Sequence, residues 1–152
     1  MKPEDLYHTG IVVEDFAASL ERLTEVAGYR WCDEMALEQT VWTPQGQQTV
    51  PIRFTYSMSE PRLEILQSVP GTVWMPATSG IHHLGYWSDD VDGDLEVLAG
   101  QGYVVEVKAA MSRQSSLWAY GRPGSGPRIE LVHRSLEPMM ADWFATGRSP
   151  LA

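Results

Sequence analysis

HTGIVVEDFAASLERLTEVAGY (residues 8–29) and HLGYWSDDVDGDLEVLAGQGY (residues 83–103) are two copies of one pattern. His8 falls on His83, Gly10 on Gly85 and Asp15 on Asp90. Leu20, Glu21 and Leu23 fall on Leu95, Glu96 and Leu98, and a one-residue gap then places Gly28-Tyr29 on Gly102-Tyr103. Each copy reads as a short apolar strand, an Asp that caps a helix N-terminus, an amphipathic helix, and a glycine that opens the next strand. An internal repeat sets the architecture before any single residue does.

Strands continue each copy. VPIRFTYSM (50–58) and RLEILQS (62–68) read as a hairpin turning at Ser59, Glu60 and Pro61. SLWAYGR (116–122) and RIELVHR (128–134) read as its counterpart, joined by PGSGP. An earlier strand is expected near 38–43 in the first copy and near 103–108 in the second. The expectation is an α+β fold of two βαβββ modules, about 6–68 and 81–134, paired into one curved-sheet cup within a single domain over 1–152. The Pro/Gly-rich SVPGTVWMPATSG (68–80) links them. The segment from about 136 to 147 is expected to be a helical tail on which Met139, Trp143 and Phe144 share a face.

Composition removes several function classes. The 152-residue chain carries 20 acidic and 11 basic residues, a net charge of −9, with no Lys/Arg cluster. Phosphate backbones and anionic membrane surfaces need cations that this chain lacks, so neither nucleic acid nor membrane is an expected partner. Cys32 is the single cysteine, which excludes an intrachain disulfide and a Cys-rich zinc site. MKPEDLYHTG has no apolar signal core, so a soluble, cytoplasmic protein is expected.

The chemistry sits at matched positions. The first strand of each module offers a histidine, His8 or His83, and the last strand offers a glutamate inside an apolar alternation, Glu64 in RLEIL or Glu130 in RIELV. A buried carboxylate among Leu, Ile and Val is costly unless paired. Singly, each of these residues reads as structural. If the sheets curl to a common cup, however, all four converge. Two imidazoles and two carboxylates suit one divalent ion of intermediate hardness: Zn²⁺, Ni²⁺, Co²⁺, Mn²⁺ or Fe²⁺. An octahedral ion would keep two positions for waters or vicinal substrate oxygens. His82, adjacent to His83, has no repeat partner and falls on the opposite strand face, where it reads as a strand-face residue, with a supporting role behind the metal ligands as the alternative.

The segments YHTGIVVEDF, RLEIL, HHLGYWSDD and RIELV resemble the vicinal oxygen chelate superfamily, from about residue 6 to 134. That group includes glyoxalase I, methylmalonyl-CoA epimerase, extradiol dioxygenases and bleomycin-resistance proteins. The resemblance implies the glyoxalase-like fold and carries the family's metal-ligand positions onto His8, Glu64, His83 and Glu130. The His, Glu, His, Glu set is similar to that of bacterial glyoxalase I, whereas the epimerases commonly place Gln where Glu64 stands. The implied activity is that of a metal-dependent isomerase, epimerase or lyase. It would transfer a proton α to a carbonyl through a metal-bound enediolate, with Glu130 as first candidate base and Glu64 as second. A homodimer is implied as well. The alternatives are a non-catalytic protein that sequesters a hydrophobic ligand, as resistance proteins do, and an Fe(II)-dependent dioxygenase.

For the substrate, Trp87 shares the expected inward face of His83, and Phe54, Trp118 and Tyr120 lie on neighbouring strands with Trp42 and Tyr56. These rings suit core and dimer packing, and equally an aromatic-lined cup for a hydrophobic carbonyl compound. Arg53, with Arg113 and Arg122, is the candidate cation for an anionic substrate group.

Overall fold

The computed structural model describes residues 1–151. The first module runs β1 (Leu6–Val13), α1 (Phe16–Ala27), β2 (Met35–Thr43), β3 (Gly46–Tyr56) and β4 (Leu63–Gln67). The second runs β5 (His83–Ser88), α2 (Val91–Gly100), β6 (Val104–Ala110), β7 (Ser116–Arg122) and β8 (Arg128–His133). A short 3₁₀ turn, Arg134–Leu136, leads into α3 (Glu137–Thr146). The repeat therefore folds twice into the same βαβββ unit.

Local chemistry accounts for the helices. The Asp15 carboxylate accepts from the Ala18 N–H and the Asp90 carboxylate from the Gly93 N–H, each satisfying a free donor of a first turn. Gly28 ends α1 in the left-handed region at φ 74°, which costs a glycine nothing sterically. Helix α2 buries Val91, Leu95 and Leu98 against Ala119 and Leu131 of the sheet.

The strands close into a barrel in the order β1-β4-β3-β2-β6-β7-β8-β5, so the expected cup has no open seam. Within each module the first strand runs parallel to the last, β1 with β4 and β5 with β8, and the other pairs are antiparallel. The modules join twice. One junction is the single bridge Trp42↔Lys108 between β2 and β6. The other is the antiparallel pairing of β1 with β5, in which His8 lies opposite Gly85 and Gly10 opposite His83.

Strand alternation then decides what faces inward. His8, Gly10 and Val12 of β1 are buried, as are His83, Gly85 and Trp87 of β5. The parallel pairings place Glu64 beside Gly10 and Glu130 beside Gly85. Four adjacent strands, β4, β1, β5 and β8, thus carry the whole His/Glu set.

Two segments exceed the roles expected of them. The 68–80 linker returns over the barrel mouth and buries Trp74 to 2% exposure among Val12, Val41, Leu66 and Tyr120. The tail helix folds back onto the barrel, where Trp143 is 1% exposed and packs on Phe54 and Tyr56. It is tied down by Asp33 N–H donating to the Gly147 carbonyl and by Arg134 bridging Asp5, Asp89 and Glu137.

Candidate metal centre

Each pair of glycine and histidine is a matched fit. A Cβ on Gly10 would overlap the His83 ring, and a Cβ on Gly85 would overlap the His8 ring. The bare backbone of each strand is the floor on which the other strand's imidazole lies. The His-x-Gly spacing seen twice in the sequence is therefore a reciprocal device: each module cuts the space for the other's histidine.

His8, Glu64, His83 and Glu130 are all buried, and each offers one donor atom within 4.8 Å of the others. The Nε2 atoms of His8 and His83 lie 2.9 Å apart. His8 Nε2 is 3.0 Å from Glu130 Oε2 and 3.4 Å from Glu64 Oε2. His83 Nε2 is 3.0 Å from Glu64 Oε2 and 3.4 Å from Glu130 Oε2. The distances interchange under the two-fold relation of the modules, and the closer carboxylate always belongs to the other module. A single chain completes the cluster.

These donors fit a divalent cation. Glu64 Oε2 and Glu130 Oε2 are buried and satisfied by no hydrogen bond, although the imidazoles stand beside them. Two buried carboxylates carry a charge of −2, expensive in a low-dielectric interior unless balanced. Hard oxygens and borderline nitrogens without thiolate match the ions expected from the sequence.

Without an ion, protons take that role. Burial pushes the His83 pKa down, but the Glu130 and Glu64 carboxylates outweigh it and raise it to about 9. His8 is raised in the same way, burial opposing and Glu64 and Glu130 prevailing. Burial raises Glu64, yet the charges of His8 and His83 outweigh it and hold it well below the usual carboxylate range. Glu130 is lowered likewise, against burial, chiefly by His83. Burial and the nearby carboxylates push Tyr7, Tyr56 and Tyr120 well above the ordinary phenol value, so all three stay neutral.

The two carboxylates open into a cavity of about 340 Å³, the size of a small-molecule site. Its walls come from four places: Leu37, Ile52 and Phe54 of β2 and β3; Trp118 and Tyr120 of β7; Trp74 of the linker; and Leu136, Met140 and Trp143 of the tail. No lysine or arginine is among the described residues that line it.

Of the side chains expected to meet a substrate, Phe54, Tyr56, Trp118 and Tyr120 line this cavity, and the others lie elsewhere. Arg53 alternates with Phe54 and so points outward, where it bonds Glu34 Oε2 at 2.7 Å and lies 4.5 Å over the Phe16 ring. Arg122 pairs with Glu106. Trp87 is buried behind the wall, stacked 3.9 Å from Tyr7, and the Tyr7 side chain lines the cavity in its stead. Trp42 lies 44% exposed under Lys108, outside the barrel.

The sequence pattern does not mark Trp74 or the tail residues as walls of the cavity. A tryptophan inside a Pro/Gly linker was the available signal for the first. His82 precedes β5, is fully buried, and places Nδ1 2.9 Å from His83 Nδ1 and Nε2 2.8 Å from the Val73 carbonyl oxygen, the geometry of the supporting role. Burial, then the His83 charge, lower its pKa to about 4, so it is neutral at neutral pH.

Comparison with known proteins agrees with this architecture. The sequence profile described as "Glyoxalase/Bleomycin resistance protein/Dioxygenase superfamily" matches residues 7–120, and the chain belongs to that superfamily. Among solved structures, a variant of Streptomyces coelicolor methylmalonyl-CoA epimerase in complex with 2-nitronate-propionyl-CoA superposes with a TM-score of 0.59 at 18% identity, covering 85% of this chain and 96% of that one. The Mycobacterium tuberculosis methylmalonyl-CoA epimerase gives 0.53 at 20% identity, over 85% and 87% of the two chains. A variant of 4-hydroxymandelate synthase from Streptomyces coelicolor gives 0.50 at 12% identity, over 84% of this chain and 48% of that one. At these identities the likeness is one of fold. No curated protein matches the sequence. Among the described residues no helix is long and apolar enough to cross a membrane.

Proposed function

We propose that this chain is a metal-dependent enzyme that moves a proton at the carbon α to a carbonyl of an apolar or aromatic small molecule, as an isomerase, epimerase or lyase. The observation that carries this reading is the convergence of two imidazoles and two carboxylates, within 4.8 Å and inside one chain, at the floor of an apolar cavity. A divalent ion held by His8, Glu64, His83 and Glu130 would supply Lewis acidity toward the substrate oxygens.

The chain's own residues do the rest. His8 and His83 hold position, each ring seated on a glycine of the other module. Glu130, at the cavity floor, is the base that takes the α-proton and returns it, and Glu64 is the second candidate. The aromatic walls exclude water and orient a flat or hydrophobic body. The epimerases that share the fold are named for an acyl-CoA; here no lysine or arginine among the described residues lines the cavity to pair with phosphates, which favours an apolar substrate body whose polar atoms are those that reach the metal.

The test is solvent deuterium wash-in at the α-carbon of a panel of hydrophobic enolisable carbonyl compounds, with the protein loaded in turn with Zn²⁺, Ni²⁺, Co²⁺ and Mn²⁺. Exchange that disappears in Glu130→Gln is the expected result. Tight binding without exchange would make the chain a sequestering protein, and oxygen uptake with Fe²⁺ and catechols would make it a dioxygenase.

A further inference from the structure

We infer that His82 is a positioning residue that commits His83 to present a bare Nε2 to the metal, an inference that rests on the metal-dependent reading above. Donors and acceptors around His82 fix the tautomer. His82 Nε2 lies 2.8 Å from the Val73 carbonyl oxygen. A carbonyl only accepts, so that nitrogen carries the proton. With its proton on Nε2, the neutral imidazole tautomer of the buried His82 keeps a bare Nδ1 that can accept. The bare Nδ1 lies 2.9 Å from His83 Nδ1, which must therefore donate. With the His83 proton held on Nδ1, Nε2 is the nitrogen left to face His8, Glu64 and Glu130. The chain Val73 carbonyl, His82, His83 thus sets which nitrogen is the ligand and fixes the plane of its ring.

The device exists in one module only. Tyr7 occupies the place in the first copy that His82 occupies in the second, and it stacks on Trp87. His8 Nδ1 accordingly has no hydrogen-bond partner among the described residues. The anchor of the chain also lies outside both repeats. Val73 precedes Trp74, whose ring lines the cavity and donates from Nε1 to the Tyr120 hydroxyl at 3.3 Å. The linker that walls the substrate cavity is thus the same segment that holds His82.

The test measures Zn²⁺ affinity by competition with a chromophoric chelator for wild type, His82→Ala and His82→Asn. It also records long-range ¹H–¹⁵N correlations of the imidazoles in the Zn²⁺-loaded wild type. His82→Ala is expected to bind about 10- to 100-fold more weakly, the range for loss of a partner to a metal-ligating histidine. His82→Asn, whose amide oxygen can take the place of the Nδ1 acceptor, is expected to recover most of that loss. In the spectrum, His82 should show a protonated Nε2 and bare Nδ1, and His83 a protonated Nδ1. A His82 protonated on Nδ1, or affinities equal across the three proteins, would overturn the inference while leaving the metal site standing. A wild type that binds no Zn²⁺ would overturn both. If His82→Ala fails to fold, the spectrum and the Asn variant decide alone.

Discussion

The His8 ring lies on the bare backbone of Gly85, and the His83 ring lies on that of Gly10. This reciprocal seating makes the metal centre a property of the junction between the modules. Neither copy of the repeat can build it alone, and the closest carboxylate to each histidine comes across the junction.

A methyl group on either glycine should therefore unseat the opposite histidine. Gly85→Ala is expected to displace His8 and Gly10→Ala to displace His83, each costing about 1–3 kcal/mol of stability through overpacking. Plasma mass spectrometry on the purified variants should find the ion lost while far-ultraviolet circular dichroism stays that of the wild type. Retention of full metal content in both would contradict the seating.

Exchange chemistry should depend on the glutamates unequally. Glu130→Gln keeps a ligating oxygen but cannot take a proton, so wash-in should fall by about 10²–10⁴-fold with metal content retained. Glu64→Gln should lose less. The reverse order would exchange their roles.

Metal affinity should rise with pH. In the metal-free protein the His83 pKa stands near 9 instead of 6.5, so at neutral pH an ion must displace its proton. Affinity measured between about pH 6 and 9 should climb, with protons released into unbuffered solution on binding. The stability of the metal-free protein should run the other way. A raised folded-state pKa contributes stability that is fully present below 6.5 and lost as pH rises through about 9. The apo melting temperature should therefore fall across that window, while the metal-loaded protein, whose carboxylates are balanced by the ion, should hold. A flat apo profile would count against protonated histidines in the empty cluster.

The tail should matter for both stability and binding. Trp143 is nearly fully buried against Phe54 and Tyr56, and it walls the cavity. Trp143→Ala is expected to cost about 3–5 kcal/mol in urea unfolding, as large-to-small core changes do. The milder Trp143→Phe should keep the fold and instead alter the affinity for apolar ligands.

Much of this was legible in one dimension because the governing rules are local. Asp15 and Asp90 cap helices through bonds to residues three positions on. Strand alternation puts His8 and His83 on the same face as Gly10 and Gly85, and the repeat places a glutamate at the matching point of each last strand. Those rules specify the two βαβββ modules and single out the four side chains that meet. Arg53 follows the outward phase of β3, as alternation alone allows, whereas Trp87 shares the His83 face and stacks on Tyr7, which lines the cavity.

The remainder was decided in three dimensions. Barrel closure made the shorter His–Glu distances inter-modular. Folding of the linker and the tail over the mouth brought Trp74 and Trp143 to the cavity. His82 acquired its partner from a backbone carbonyl, which every residue carries and no sequence pattern marks. Contacts between distant segments depend on the packing of the whole barrel, so no local period records them.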